Sequence, residues 1–174
     1  MVAARRLANW GAEFSVILTG PLEEYRDMPG YQLGILKNMR VPIFQARRDA
    51  RQHRVALGED LILDAMIGYG LSGAPMGMTR ALIQAANDSD AHILALDAPS
   101  GLDTTTGTVY DPCIRAEATL TLALPKVGLL GSAARAAVGE LYVADISVPP
   151  SVYTAMGIEV PNIFREAEIV HIQV

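Results

Sequence analysis

Two aspartates stand at the ends of apolar runs, and each opens a turn-rich loop. Asp64 closes Asp60-Leu61-Ile62-Leu63-Asp64, and Asp97 closes His92-Ile93-Leu94-Ala95-Leu96-Asp97. A carboxylate at such a place is costly to bury unless it is hydrogen-bonded, ion-paired or bound to a cation. Two readings of Asp64 therefore stand side by side: a tie that accepts loop N–H bonds, or an oxygen ligand for a hard cation. Four residues on, Gly68-Tyr69-Gly70-Leu71-Ser72-Gly73 matches G-x-G-x-x-G formally, a pattern whose glycines let backbone N–H groups approach a phosphate near a helix start. Ala74-Pro75-Met76-Gly77 then intervenes before the helix, which a dehydrogenase fingerprint does not do, so a long turn without a ligand is the alternative. After Asp97 comes Ala98-Pro99-Ser100-Gly101-Leu102-Asp103, in which Ser100 adds a hydroxyl oxygen and Asp103 reads as an Asx-turn or helix cap. If the two runs are neighbouring strands, about 5 Å apart, Asp64 and Asp97 face one pocket. Their charges would then repel unless one is protonated or a cation lies between them. Lys126, after Pro125, reads as a solvated side chain, with a phosphate contact as the alternative.

These loops need elements to hold them. Val2, Leu7 and Trp10 share one face of a helix that Gly11 ends. Strands are expected at Phe14 to Thr19, Val41 to Gln45, Asp60 to Ile67, His92 to Asp97, Ala118 to Leu124, Glu140 to Ile146 and Glu168 to Gln173. Helices are expected at Gln32 to Arg40, Met78 to Asn87 and Leu130 to Val138, with Leu22 to Gly30 irregular and a looser tail from Val148. The strands are runs of Val, Ile and Leu without two-residue alternation, the mark of a parallel sheet buried on both faces. Ligands in such sheets bind beyond the carboxyl ends of the strands. The site is therefore expected after Thr19, Asp64, Asp97 and Leu124, in a chain that reads as one domain over residues 1–174.

Composition narrows the function. Fourteen Lys plus Arg against nineteen Asp plus Glu give a net charge of −5, a poor match for a chain that grips nucleic acid or an anionic membrane. The basic run Arg47, Arg48, Arg51 and Arg54 lacks interleaved aromatics and reads as a solvated face. A single Cys, Cys113, excludes an internal disulfide and a cysteine zinc cluster, and fits a reducing, cytoplasmic setting. His53, His92 and His171 have no metal-ligand spacing, and no Gly-x-Ser-x-Gly elbow is present. No apolar run is long enough to span a bilayer.

The strings Asp60 to Gly77, Leu96 to Asp103, Pro125 to Leu130 and Val138 to Pro149 resemble the YjeF N-terminal domain family, in the family's order, from Met1 to about Pro149. The resemblance implies a three-layer α/β/α sandwich with a Rossmann-like, mostly parallel sheet. It implies an NAD(P)H-hydrate epimerase, which interconverts the R and S forms of hydrated NADH and NADPH so that a partner NAD(P)H-hydrate dehydratase can restore the cofactor. It further implies a potassium ion held by Asp64 and Ser100, substrate contacts from Gly68, Tyr69, Gly70, Leu71, Ser72, Gly73, Ala74 and Asp97, Asp97 as the acid/base group, and a homodimer. Family enzymes also carry a Gly-Asn-Asn-Gly-Gly-Asp-Gly loop after a first strand. Here Met1 stands where that loop would end, so a fragment or an internal start is expected ahead of a true loss of that part of the site. Two other functions compete: a non-catalytic binding or scaffold module of the same fold, and an NAD-dependent oxidoreductase using Gly68, Gly70 and Gly73.

Overall fold

The computed structural model describes residues 1–46 and 60–173. The basic run Arg47, Arg48, Arg51 and Arg54, together with His53, lies outside the described residues. The chain opens with α1 (Val2–Asn9), which ends where Gly11 takes φ +77. Its apolar face is only partly covered: Leu7 is half-buried, whereas Val2 is exposed and Trp10 is 74% exposed. Then come β1 (Val16–Leu18), α2 (Asp27–Asn38) and β2 (Ile43–Gln45). The first turn of α2 takes in Pro29 and Gly30, within the stretch expected to be irregular. A proline is tolerated there because the first N–H groups of a helix have no intrahelical partner to lose.

The central chemistry rests on β3 (Leu61–Asp64), α3 (Gly77–Asn87), β4 (His92–Leu96) and β5 (Ala118–Leu122). These are followed by α4 (Arg135–Val138), β6 (Glu140–Ala144), α5 (Pro150–Ala155) and β7 (Ile169–Ile172). The helix expected from Leu130 is thus shorter. A 3-10 turn at Val127–Leu129 and the stretch around Gly131 and Ser132 precede it.

Among the described residues the strands form two sheets. β1 and β2 pair in parallel, and a five-stranded sheet runs in the order β3-β4-β5-β6-β7. All its pairs are parallel except β6 with β7. A parallel sheet interleaved with helices is the Rossmann-like α/β class expected from the alternation of elements.

Register sorts the side chains by face. Ile93 and Ala95 align with Ile62 and Asp64 on one side, and Ala95 aligns with Thr119 on the other. Thr119 and Thr121 align with Leu141 and Val143. This face is packed: Ile93, Ala95, Thr119, Thr121, Leu141 and Val143 are all buried. α3 closes on it through Ile83 and Ala86, which cluster with Ile93, Ala95, Ile114 and Ala116. The opposite face carries Leu61, Leu94 and Leu122 at 49%, 36% and 39% exposure. Burial therefore alternates along β4, β5 and β6. The uninterrupted apolar runs suggested equal burial of both faces, which the second face does not reach. No described helix is long and apolar enough to cross a membrane.

Candidate functional site

The parallel order places the carboxyl ends of β3, β4 and β5 side by side, and Asp64, Asp97 and Lys126 arrive there from three consecutive strands. Asp64 is the last residue of β3 and only 2% exposed. Its Oδ1 accepts bonds from the Met66 amide at 3.2 Å and the Ser100 hydroxyl at 2.7 Å, and its Oδ2 accepts one from the Ser100 amide at 2.7 Å. The carboxylate thus ties the β3 loop to the β4 loop. Burial still raises its pKa above the usual carboxylate value, against the opposing effect of these three bonds. Ser100 is fully buried, and its hydroxyl oxygen also accepts the Ile67 amide at 2.9 Å.

Asp97 follows β4 and continues its ladder, its amide donating to the Leu120 carbonyl at 2.8 Å. Its backbone is left-handed, φ +69, as is that of Ala123 in the neighbouring loop, φ +65. Side-chain-bearing residues adopt this region at a cost, and such positions cluster where a loop must aim a functional group. The two carboxylate oxygens of Asp97 meet different surroundings. Oδ1 takes the Lys126 ammonium in an ion pair, with longer approaches of 3.4 Å from the Thr121 hydroxyl and the Leu122 amide. Oδ2 points to the glycine loop, 3.4 Å from where a Cβ on Gly68 would sit.

The Lys126 ammonium also donates to Thr121 Oγ1 at 2.8 Å and to the Leu122 carbonyl at 3.2 Å. Three donors meet three acceptors, so the ammonium has none left for a phosphate. Lys126 is neither the solvated side chain nor the phosphate ligand that sequence reasoning offered. The charge of Asp97 is balanced by this lysine, a partner the sequence analysis did not pair with it. The available signal was the pair of hydroxyls, Thr119 and Thr121, that alternate with apolar residues in β5.

The glycine loop lies in the open. Gly68, Tyr69, Gly70, Ser72 and Ala74 are exposed, with Tyr69 at 80%, while Leu71 and Gly73 are half-buried. Gly70 takes φ +88. Helix α3 begins only at Gly77, so the loop does not run into its helix as a dehydrogenase fingerprint does. The remaining sequence candidates are structural. Asp103 Oδ1 accepts the amides of Thr105 and Thr106 at 2.8 and 3.1 Å, an Asx-turn, and these bonds hold its pKa below the usual value. His92 bonds Glu117 at the amino end of β4, 2.6 Å away. Cys113 is buried, and burial followed by the Asp64 charge pushes its thiol up to about 12. A cleft of 520 Å³ lies elsewhere, beside Asn87 and Arg115 at the amino ends of β4 and β5.

Residues 1–128 match the family described as YjeF-related protein N-terminus. The chain belongs to this family. Among curated proteins it is 37% identical to an NAD(P)H-hydrate epimerase of Dehalogenimonas lykanthroporepellens, over 91% of this chain and 61% of that protein. It is likewise 37% identical to a bifunctional NAD(P)H-hydrate repair enzyme Nnr of Moorella thermoacetica, over 86% of this chain and 29% of the relative. The chain thus spans less than two thirds of either relative's length. In three dimensions it is similar to the crystal structure of the yeast protein ynu0, YNL200c, with a TM-score of 0.76. That match covers 98% of this chain and 70% of the yeast chain at 19% identity, and it supports the Rossmann-like fold of the family.

Proposed function

We propose that this chain is a single domain, residues 1–174, that carries an NAD(P)H-hydrate epimerase site and interconverts the R and S forms of hydrated NADH and NADPH. The observation that carries the reading is Asp97, aimed by a left-handed backbone so that its free-facing oxygen meets an open glycine loop. The names of the relatives support the substrate class.

In this reading Gly68, Tyr69, Gly70, Leu71, Ser72, Gly73 and Ala74 bind the hydrated dinucleotide, and Asp97 exchanges a proton with the hydroxyl being inverted. Inversion by loss and return of that hydroxyl, or by ring opening, needs one proton delivered to oxygen and one taken back, so the carboxyl group ends each cycle as it began.

A potassium ion fits the neighbouring oxygens. Ser100 Oγ uses its proton on Asp64 and one lone pair on the Ile67 amide, which leaves one lone pair for a cation. Asp64 Oδ2 accepts a single described bond. A carboxylate whose burial disfavours its charge also gains from a nearby cation. Asp64 and Ser100 would hold the ion, and its positive charge would offset the charge of the dinucleotide.

The reading includes a dehydratase that acts on one epimer, as the bifunctional relatives named repair enzymes suggest. It includes a cytoplasmic setting and a homodimer, the latter supported by the half-covered leucines Leu61, Leu94 and Leu122.

Chromatographic measurement of R and S interconversion tests the activity. It is run with potassium and with sodium, on this chain and on a version carrying the family's N-terminal strand and loop. Acceleration over the spontaneous rate supports the reading. Two folded, inactive proteins would replace it with a non-catalytic binding module.

A further inference from the structure

Oδ1 of Asp97 is anchored and Oδ2 is not. Among the described residues Oδ2 has no hydrogen-bond partner, whereas Oδ1 meets an ammonium, a hydroxyl and an amide. The ammonium is itself fixed. Lys126 sits at the start of the 3-10 turn after β5, and its nitrogen is held by Thr121 Oγ1 and the Leu122 carbonyl, both on β5. Thr121 is fully buried on the packed face of the sheet, so its hydroxyl cannot follow the ammonium outward. The chain has only two lysines, Lys37 and Lys126, among its fourteen basic residues. Lysine rather than arginine suits this place. Three acceptors converge on one nitrogen, which a compact ammonium satisfies and a planar guanidinium does not.

We propose that Lys126, clamped by Thr121 and the Leu122 carbonyl, is the positioning residue of the site: it immobilises Oδ1 of Asp97 so that Oδ2 alone is presented to the substrate hydroxyl beside Gly68. The proposal rests on the epimerase reading and adds to it a division of labour between the two oxygens. Without the clamp the carboxylate rotates about its Cβ–Cγ bond and shares its hydrogen-bonding capacity between the solvent and the substrate. Misplacing a reacting group by about 1 Å costs on the order of 100-fold in rate. Substrate affinity, set by the glycine loop, is left largely in place.

The experiment has two readouts on the full chain. The first needs no activity. In protein labelled with 15N-lysine, the Lys126 ammonium gives a signal slowed in solvent exchange, while exposed Lys37 gives none. Thr121→Val weakens that signal. Its absence from the folded wild type would overturn the clamp.

The second readout is kinetic. Lys126→Met lowers kcat about 100-fold and moves KM by less than about threefold, Lys126→Arg does not restore kcat, and Lys126→Ala regains at least about tenfold of it with ethylammonium but not with tetramethylammonium, which has no N–H to donate. Unchanged kcat in Lys126→Met beside an active wild type would overturn this proposal alone. So would a loss of kcat, KM and melting temperature together that ethylammonium fails to repair, since that marks a merely structural lysine. An inactive wild type with a slowed lysine signal would remove the epimerase reading, and this inference with it.

Discussion

Ser100 grips Asp64 from two directions, with its amide 2.7 Å from Oδ2 and its hydroxyl 2.7 Å from Oδ1. Both residues are buried, at 0% and 2% exposure, so no solvent stands ready to replace a lost bond. Ser100→Ala removes one donor to a buried carboxylate and the acceptor of the Ile67 amide at once. A buried group left unsatisfied costs about 1–3 kcal/mol. Urea unfolding of Ser100→Ala is therefore expected to show a loss of that order with an unchanged m-value. If Ser100 also holds potassium, the variant loses the difference in activity between potassium and sodium. A Ser100→Ala protein as stable as the wild type would show that the tie contributes little.

Asp97 separates chemistry from stability. Asp97→Asn keeps a carbonyl oxygen for Lys126 Nζ and Thr121 Oγ1, so the clamp persists without the charge. Its amide nitrogen cannot shuttle a proton at the position of Oδ2. Turnover is expected to fall about 100-fold or more, the usual worth of a positioned acid/base group, while the circular dichroism spectrum stays that of the wild type. Unchanged turnover would remove Asp97 from the reaction.

Two glycines should respond in opposite ways to the same substitution. Gly101 has φ +111, and a Cβ there would sit 2.6 Å from Cys113 Cα and 2.6 Å from the Pro112 carbonyl oxygen. Both obstacles are backbone, so Gly101→Ala is expected to cost about 3 kcal/mol or more. Gly68 has no positive φ, and its Cβ would meet only Asp97 Oδ2, at an ordinary 3.4 Å. Gly68→Ala is expected to melt within a few degrees of the wild type, yet to turn over about tenfold to 100-fold more slowly, because the methyl occupies the space beside the reacting oxygen. Thermal melts and initial rates on the two variants check both halves. An active Gly68→Ala would move the substrate away from this loop.

How much of this was legible in the sequence depends on the range of the interaction. Asp64 and Asp97 stood out because polar residues closing apolar runs demand a reason, Ser100 because it adds a hydroxyl to the turn after Asp97, and strand-end placement followed from the parallel pattern. The Asx-turn at Asp103 is local, within three residues, and was legible for that cause. Lys126 was not. Its partner lies 29 residues upstream, and only the pairing of β4 with β5 brings the two together. Sequence spacing also could not weigh the sheet's faces. Runs such as Leu61-Ile62-Leu63 look equally apolar on both sides, while coverage depends on which helices return to which face. Of the two readings of Asp64, the structure shows the loop tie; it does not exclude the cation reading, since a carboxylate that ties a loop keeps lone pairs for a cation.

Cys113 supplies a test of the packing beneath the site. The thiol is buried, and its pKa is pushed up to about 12 from the model-peptide value of 9.0, first by desolvation and then by the charge of Asp64. A folded-state pKa above the unfolded one means that folding favours the neutral thiol. The associated stability is fully present below pH 9 and is lost as pH rises toward 12. Two outcomes follow. At pH 8 the native chain is expected to react with a disulfide reagent such as DTNB far more slowly than the chain in urea, since the thiolate is the attacking species. Between pH 8 and 10.5 the wild type is expected to lose stability more steeply than Cys113→Ala in urea titrations. Fast labelling of the native protein, or parallel pH slopes for the two proteins, would show that the segment beside Gly101 opens readily and that Cys113 is not held in the apolar core.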